Sequence, residues 1–247
     1  MDHRTETLFR EDAYLREADA TVVAVREDGG IVLDRTIFYA TSGGQPGDTG
    51  ILRRADGSEI RIAGTVTGET KDAIIHLPAD GEARPEIGEA VRLVLDWERR
   101  LKLMRMHTAC HILSVVCPYP VTGASVGEDE ARIDFDFPEG GKTKEEATAD
   151  MMALIDAGHA VFSHWITDEE LAANPGLVKS KNVRPPAGMG RVRLVLIGAE
   201  GAVDSQPCGG THVANTSEIG AVHVGKIEKK GRENRRFRLR FGAMPQN

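Results

Sequence analysis

The first hundred residues alternate short apolar runs with turn signals, a pattern typical of antiparallel β structure. The apolar runs occupy residues 20–25, 30–33, 59–62, 73–77 and 90–95. Asp28-Gly29 and Asp56-Gly57 lie between these runs, and such dipeptides supply the positive φ angles of tight hairpins. Several short strands at this spacing predict a small β-barrel, with a sandwich as the alternative.

The hydrophobic period changes after Asp96. This residue can cap a helix over residues 97–113, where apolar positions recur three and four residues apart. Pro118 and Pro120 end the helix, because proline has no amide hydrogen to continue the hydrogen-bond ladder. Arg99, Arg100, Lys102 and Arg105 are expected on the solvated face of this helix.

The remaining chain mixes helices and strands. Thr143 and Glu146 form a capping box at the start of a second helix that ends near Gly158. The other predicted elements are strands at 131–137, 160–166 and 191–197, a short helix at 167–172 and a loop at 179–190. The pattern predicts an α+β class, with a β-barrel domain at residues 1–95 and an α+β domain at 96–247.

The most informative chemistry is a pair of histidines on the first predicted helix. His107 and His111 are four residues apart, so a helix presents them on one face, one turn apart. Two imidazoles in this arrangement can share one metal ion. The metalloprotease motif needs Glu directly after the first His, and Thr108 stands there instead. This makes a metal-dependent peptidase or amidase a distant option.

A second pair follows about a hundred residues later, in the Cys-Gly-Gly-Thr-His segment at 208–212. Its glycines let a loop fold tightly enough for Cys208 and His212 to reach one centre. With His107 and His111 they offer three nitrogens and one sulfur, a set suited to tetrahedral Zn²⁺. Cys110 is a competing thiol, and we interpret it as a packing residue.

Composition narrows the class of protein. The chain of 247 residues is 40% hydrophobic and 28% charged, which excludes disorder of the whole chain. It has neither a run of ~18 apolar residues that would span a membrane nor an apolar segment behind its amino terminus that would act as a secretory signal. Three cysteines are too few for a disulfide framework. We expect a soluble, cytoplasmic protein without a membrane partner or an obligate protein partner.

Charge is unevenly distributed. The net charge of −7 argues against sequence-independent coating of nucleic acid, yet residues 226–240 are strongly basic. If residues 235–241 form a strand, Phe237, Leu239 and Phe241 face the core while Arg236, Arg238 and Arg240 face outward. This row could contact RNA phosphates, and the alternative is a solvated strand face.

Several motifs together resemble the editing domain of alanyl-tRNA synthetase and the free-standing alanyl-tRNA editing proteins related to it. They span nearly the whole chain and lie at residues 38–48, 107–111, 208–212, 216–220 and 226–236. The segment 38–48 is similar to that family's glycine-rich motif. The resemblance implies an amino-terminal β-barrel followed by an α+β editing domain like that of threonyl- and alanyl-tRNA synthetases.

The implied activity is hydrolysis of mischarged tRNA(Ala), chiefly the seryl and also the glycyl form. The chain is too short to contain an aminoacylation core in addition to the editing domain, so a free-standing editing protein is expected. The implied metal is zinc, held by His107, His111, Cys208 and His212, either as catalyst or as scaffold. The alternative function is a zinc-stabilised RNA-binding module without catalysis.

The remaining site assignments follow from the resemblance. Thr41 and Gln45 are the candidate catalytic residues, because they flank glycines that free backbone amides for a serine hydroxyl or an ester oxyanion. A plain tight turn between strands is the alternative for this segment. The candidate substrate-binding residues are Gly43, Gly44, Arg235, Arg236 and Arg238.

Overall fold

The computed structural model of the chain describes residues 4–70, 72–137, 141–182 and 190–245. The chain divides into two compact units, Met1–Leu101 and Lys102–Asn247. The division lies inside helix α1 (Trp97–Val116). The domain boundary after residue 95 stays a prediction.

The first unit is built around a closed barrel. Its strands are β1 (Glu6–Thr7), β2 (Glu17–Val25), β3 (Ile31–Leu33), β4 (Arg35–Thr36), β5 (Gly50–Arg54), β6 (Glu59–Thr67), β7 (Ile74–Pro78) and β8 (Ala90–Leu95). The barrel order is β2-β3-β7-β6-β5-β8, with neighbours antiparallel, and β1 pairs with β4 in parallel. Closure leaves these six strands without a free edge, and the predicted barrel is confirmed.

Strand β5 was not predicted from the sequence pattern. Only Leu52 of this strand points into the core, where it is fully buried. Arg53 and Arg54 lie nearer the surface and donate to Glu59 at 3.1 Å and Glu89 at 2.6 Å. Because two of its five residues are charged and one is glycine, no apolar run marks the strand, although it lies between β6 and β8.

A buried ion pair crosses the first unit. Arg100 is fully buried, against the expectation of a solvated face, and its Nε donates to the Asp48 carboxylate at 3.0 Å. The same guanidinium donates to the carbonyls of Ala13 at 2.9 Å and Ile37 at 2.7 Å. Asp48 also accepts from the Tyr39 amide at 2.6 Å. Losing one partner of such a pair costs about 3–5 kcal/mol, because the other charge stays buried and uncompensated.

The second unit is α+β, which confirms the predicted class. Beyond α1 its elements are β9 (Val121–Ser125), β10 (Glu130–Asp136), α2 (Lys144–Asp156), β11 (Val161–Thr167), α3 (Asp168–Ala173), β12 (Arg191–Ile197), β13 (Asp204–Pro207), β14 (Val222–Lys229) and β15 (Asn234–Phe241). One antiparallel sheet has the order β14-β15-β10-β9, and the other has the order β11-β12-β13.

Local signals set the helix starts as predicted. Asp96 Oδ1 accepts from the Arg99 amide at 3.2 Å, which caps α1. Thr143 and Glu146 form the capping box of α2, with both reciprocal hydrogen bonds present. Most of the predicted 179–190 loop lies outside the described residues. No helix in the described ranges is both long and apolar enough to cross a membrane.

Candidate metal centre

Helix α1 presents His107 and His111 on one face. Their ring centroids are 5.4 Å apart, and both side chains are buried, at 8% and 5% exposure. The four-residue spacing places one imidazole a helical turn above the other. The helix that the sequence predicts therefore positions both rings.

Cys208 and His212 lie in the loop that follows β13. Arg193 on β12 holds this loop, since its Nη1 donates to the carbonyls of Cys208 at 3.0 Å and Gly210 at 2.9 Å. The Cys208 amide donates in return to the Arg193 carbonyl at 3.1 Å. The Gly210 amide donates to Cys208 Sγ at 3.4 Å. The segment forms a tight loop held by hydrogen bonds, as its glycines predict.

The four side chains converge. Each brings one ligand atom to within 4.8 Å of the others. Cys208 Sγ lies 3.3 Å from His212 Nε2 and 3.6 Å from His107 Nε2. The three histidines are buried, whereas Cys208 is partly exposed. Three imidazole nitrogens and one thiol around a common point can hold a metal ion.

Burial and nearby charges govern the ionisation of this cluster. Burial opposes ionisation of the Cys208 thiol, but the adjacent His107 and His212 outweigh it and hold its pKa well below the ordinary value. Burial lowers the pKa of His212 to about 3, and the charge of His107 acts in the same direction. A thiolate and a neutral imidazole are the forms that bind metals.

His111 has the opposite shift. Burial disfavours its charged form, yet hydrogen bonds and charge interactions with Asp204 and Cys208 prevail and raise its pKa to about 9. A cation that binds this ring must therefore displace a proton, so metal affinity should fall as the pH falls.

Cys110 stands apart from the four-residue cluster. It is buried, and burial together with the charge of Cys208 raises its pKa to about 12. A thiol with this pKa stays protonated and is a poor metal ligand. This agrees with its interpretation as a packing residue.

Two residues beside His111 were not predicted from the sequence. Asp204 Oδ2 lies 3.1 Å from His111 Nδ1, and Gln206 Nε2 donates to the same oxygen at 2.7 Å. A signal was available: Asp204 and Gln206 alternate along a strand that leads directly into Cys208. Alternate residues of a strand share one face.

The glycine-rich segment belongs to the first unit and contains a tight turn. Ser42 and Gln45 exchange backbone hydrogen bonds of 3.1 Å and 2.9 Å around Gly43 and Gly44, whose φ angles are 55° and 85°. Two positive φ angles are the requirement of a type I′ turn. At Gly47 a Cβ would lie 1.9 Å from the Thr65 carbonyl oxygen, so only glycine fits there.

Thr41 and Gln45 are held within this segment. Thr41 Oγ1 donates to the Thr65 carbonyl at 3.2 Å and accepts from the Gly47 amide at 2.8 Å. The Gln45 side chain is fully buried, whereas Gly43 and Gly44 are exposed at the tip of the turn. The catalytic and binding roles assigned to these residues stay predictions.

Strand β15 has the predicted alternation. Phe237 and Leu239 are buried at 1% and 0% exposure, and Arg236 and Arg238 are partly exposed. Arg235 lies on the opposite face to Arg236, with its guanidinium 5.7 Å from the centre of the Phe137 ring.

Carboxylates on the neighbouring strands accompany these arginines. Arg236 donates to both oxygens of Asp134 at 2.7 Å and 2.9 Å. Arg238 donates to Glu228 at 2.8 Å and pairs with Glu130. The row is therefore a ladder of ion pairs, and a phosphate would compete with carboxylates for these guanidiniums.

Comparison with protein families defines the class. The model described as "Threonyl and Alanyl tRNA synthetase second additional domain" matches residues 192–238. The model described as "tRNA synthetases class II (A)" matches residues 7–99. Part of the second unit thus matches an accessory domain of synthetases. The class II (A) model covers nearly all of the first unit.

Relatives that match nearly the full length of this chain identify the family. The chain is 36% identical over 242 residues to the alanyl-tRNA editing protein AlaX-M of Methanosarcina mazei, covering 94% of this chain and 95% of the relative. It is 37% identical over 247 residues to AlaX-M of Methanosarcina acetivorans, covering 94% and 97%. The AlaX-L protein of Pyrococcus horikoshii is 37% identical over 249 residues, covering 96% of this chain and 58% of the relative. The chain belongs to the alanyl-tRNA editing protein family.

The cluster makes a direct prediction about metal content. Protein prepared without chelators should contain about one metal ion per chain, because the four ligands form one tetrahedral set. His107→Ala and Cys208→Ala should each lose it, whereas Cys110→Ala, the matched control, should retain it. Elemental analysis of the purified variants measures this. Loss of metal in Cys110→Ala alone would show that the ligand set is wrong.

Proposed function

We propose that the protein is a trans-editing hydrolase that cleaves the aminoacyl ester of mischarged tRNA(Ala), chiefly Ser-tRNA(Ala) and also Gly-tRNA(Ala). The observation that carries this is the convergence of His107, His111, Cys208 and His212. The relatives that share almost the full length of the chain are named alanyl-tRNA editing proteins, which supports the substrate class.

The proposed cofactor is Zn²⁺. Borderline-soft zinc suits a mixed set of imidazoles and one thiolate better than Mg²⁺ or Ca²⁺, which prefer oxygen ligands. When bound, the ion supplies a Lewis acid that can polarise an oxygen of the ester or lower the pKa of a water molecule. Four protein ligands close a tetrahedral site, so a structural role for the ion is the alternative within this proposal.

The four ligands differ in their access to solvent. The three imidazoles are buried, and Cys208 alone of the four is partly exposed. We propose that the ester approaches from the side of Cys208. The cluster is otherwise enclosed, and this enclosure would exclude bulk water from the reaction.

Selectivity must rest on one hydroxyl group, because serine and alanine differ by that group alone. A site that hydrogen-bonds the hydroxyl rejects the analogue that lacks it, since the buried polar partners of the site are then unpaired. We propose that the glycine-rich segment contributes such partners. Its candidates are the backbone at Gly43 and Gly44 and the polar side chains of Gln45 and Thr41.

Strand β15 is the proposed contact for the tRNA backbone. Arg236 and Arg238 lie in one outward row, and Arg235 stacks near Phe137 on the other face. Phosphates attract such arginines. The neighbouring carboxylates compete for the same guanidiniums, and we propose that this limits non-specific binding of polyanions. Charged tRNA as substrate and three free cysteines favour a cytoplasmic location.

A zinc-stabilised RNA-binding module is the second candidate function. The closed set of four ligands favours it, because closed sites are typical of structural zinc. Both candidates predict bound metal and tRNA binding, and only the hydrolase predicts turnover.

Turnover and selectivity are tested together. Ser-tRNA(Ala) should lose its amino acid at least ~10²-fold faster than Ala-tRNA(Ala), because only the seryl ester offers a hydroxyl to the site. Ester loss is followed on one tRNA charged with either amino acid. Tight tRNA binding without ester loss would favour the RNA-binding module.

The same assay tests the glycine-rich segment. Gln45→Met, which roughly keeps the buried volume, should lower the seryl-to-alanyl ratio of kcat/KM while metal content stays constant. Ser42→Ala changes an exposed side chain of the same turn and is the matched control. An unchanged ratio in correctly folded Gln45→Met would show that Gln45 belongs to the structure of the turn and does not determine selectivity.

The basic row is tested with opposite charge changes. Arg236→Gln with Arg238→Gln should raise KM for charged tRNA and flatten its salt dependence by about one unit of log-log slope per lost phosphate contact. Glu228→Gln removes a carboxylate that competes for Arg238, so it should lower KM instead. If KM is the same for all three proteins across salt concentrations, the row is only a solvated face.

A further inference from the structure

Two residues outside the ligand set form hydrogen bonds with Nδ1 of two ligand histidines. These hydrogen bonds decide which ring nitrogen carries the hydrogen. A neutral imidazole carries its proton on one nitrogen, and only the other nitrogen can bind a metal. The partner of Nδ1 therefore decides whether Nε2 is available. His212 and His111 each have such a partner.

Thr108 is the partner of His212. Thr108 Oγ1 donates its single hydrogen to the Met104 carbonyl, one helical turn back, at 2.8 Å. This hydroxyl can then act only as an acceptor, and the Val213 amide donates to it at 3.3 Å. His212 Nδ1 lies 3.1 Å from the same oxygen and must therefore carry the proton. The lone pair is left on His212 Nε2, the nitrogen 3.3 Å from Cys208 Sγ.

Asp204 is the partner of His111. Its carboxylate is 3% exposed and accepts hydrogen bonds only, so His111 Nδ1 donates to Oδ2 across 3.1 Å. Gln206 Nε2 donates to the same oxygen at 2.7 Å. Two donors on one acceptor explain why Gln206 Nε2 and His111 Nδ1 lie only 3.1 Å apart.

The Asp204 carboxylate is built into the second unit as a charged group. Lys179 pairs with its other oxygen, Oδ1, so both oxygens have partners. Only one of these partners is a ligand of the cluster. Lys179 thus contacts the carboxylate oxygen that His111 does not use.

We propose that Thr108 and Asp204 are positioning residues of the metal centre. Each fixes the Nδ1–H form of one histidine and orients its Nε2 toward the ion, one from the ligand helix and the other from β13. The inference deepens the proposed zinc centre and rests on it. It makes no use of the ester substrate, so metal binding tests it whether or not the protein hydrolyses tRNA.

The variants are chosen to separate orientation from packing. Thr108→Val keeps the shape and removes the acceptor, whereas Thr108→Ser keeps the acceptor. Asp204→Asn keeps the shape and removes the charge. Thr148→Val is the matched control. Thr148 also donates to the carbonyl four residues back, at 2.6 Å, and accepts from the Val224 amide at 3.0 Å, but it contacts no histidine in these hydrogen bonds.

Two readouts are measured on full-length protein. The first is the Zn²⁺ dissociation constant from competition with a chelator of known affinity, and the second is the visible absorption spectrum of the Co²⁺-substituted protein. We expect Thr108→Val and Asp204→Asn each to weaken Zn²⁺ binding ~10–100-fold, as loss of such hydrogen bonds does at other metal sites. Their cobalt bands should shift, because the spectrum reports ligand geometry.

Thr108→Ser should restore most of the affinity, and Thr148→Val should match the parent in both readouts. Parental affinity and cobalt spectrum in folded Thr108→Val and Asp204→Asn would overturn the inference. Equal loss of affinity in Thr148→Val would also overturn it, since any buried hydroxyl would then have the same effect. If Thr108→Val does not fold, Asp204→Asn alone decides by the same criteria.

Discussion

The second unit depends on one constraint: a thiolate and three imidazoles from segments about a hundred residues apart must meet at one mostly buried point. Helix α1 provides two of these groups because four residues make about one turn. Arg193 fixes the loop that contains Cys208 and His212, because its guanidinium donates to two backbone carbonyls of this loop. A cation held by these four groups would offset the desolvation of the thiolate, and this would couple metal binding to the packing of the region.

The first unit has its own organising interaction, the ion pair of Arg100 and Asp48. It connects the first turn of α1 with the end of the glycine-rich segment, and both side chains are almost completely buried. Asp48 also holds the Tyr39 backbone, so the two ends of the segment are joined through one carboxylate. The conformation of the tight turn at Gly43 and Gly44 is therefore set within the first unit.

Local chemistry was predictable from the sequence, and long-range pairing was not. The His107–His111 pair, the Cys208–His212 loop and the helix caps depend on spacings of three or four residues. Arg100 was wrongly expected in solvent because its partner Asp48 is 52 residues away.

Strand register sets the same limit. The alternation of β15 was predicted, but the carboxylates beside its arginines come from β10 and β14, and only the register shows which residues pair. Alternation places Asp204 on the strand face of Cys208, but only the folded chain shows that its carboxylate reaches His111. Strand β5 carries too few apolar residues to stand out.

The most direct measurement is the dependence of ester hydrolysis on the metal. Protein stripped with a chelator and still folded by circular dichroism would be titrated with Zn²⁺, and single-turnover hydrolysis of Ser-tRNA(Ala) would be followed at each point. If the His/Cys cluster is the hydrolytic centre, the rate rises until about one ion is bound per chain and then stays constant, and Cys208→Ala shows no rise. Full hydrolysis by the folded, metal-free protein would contradict this.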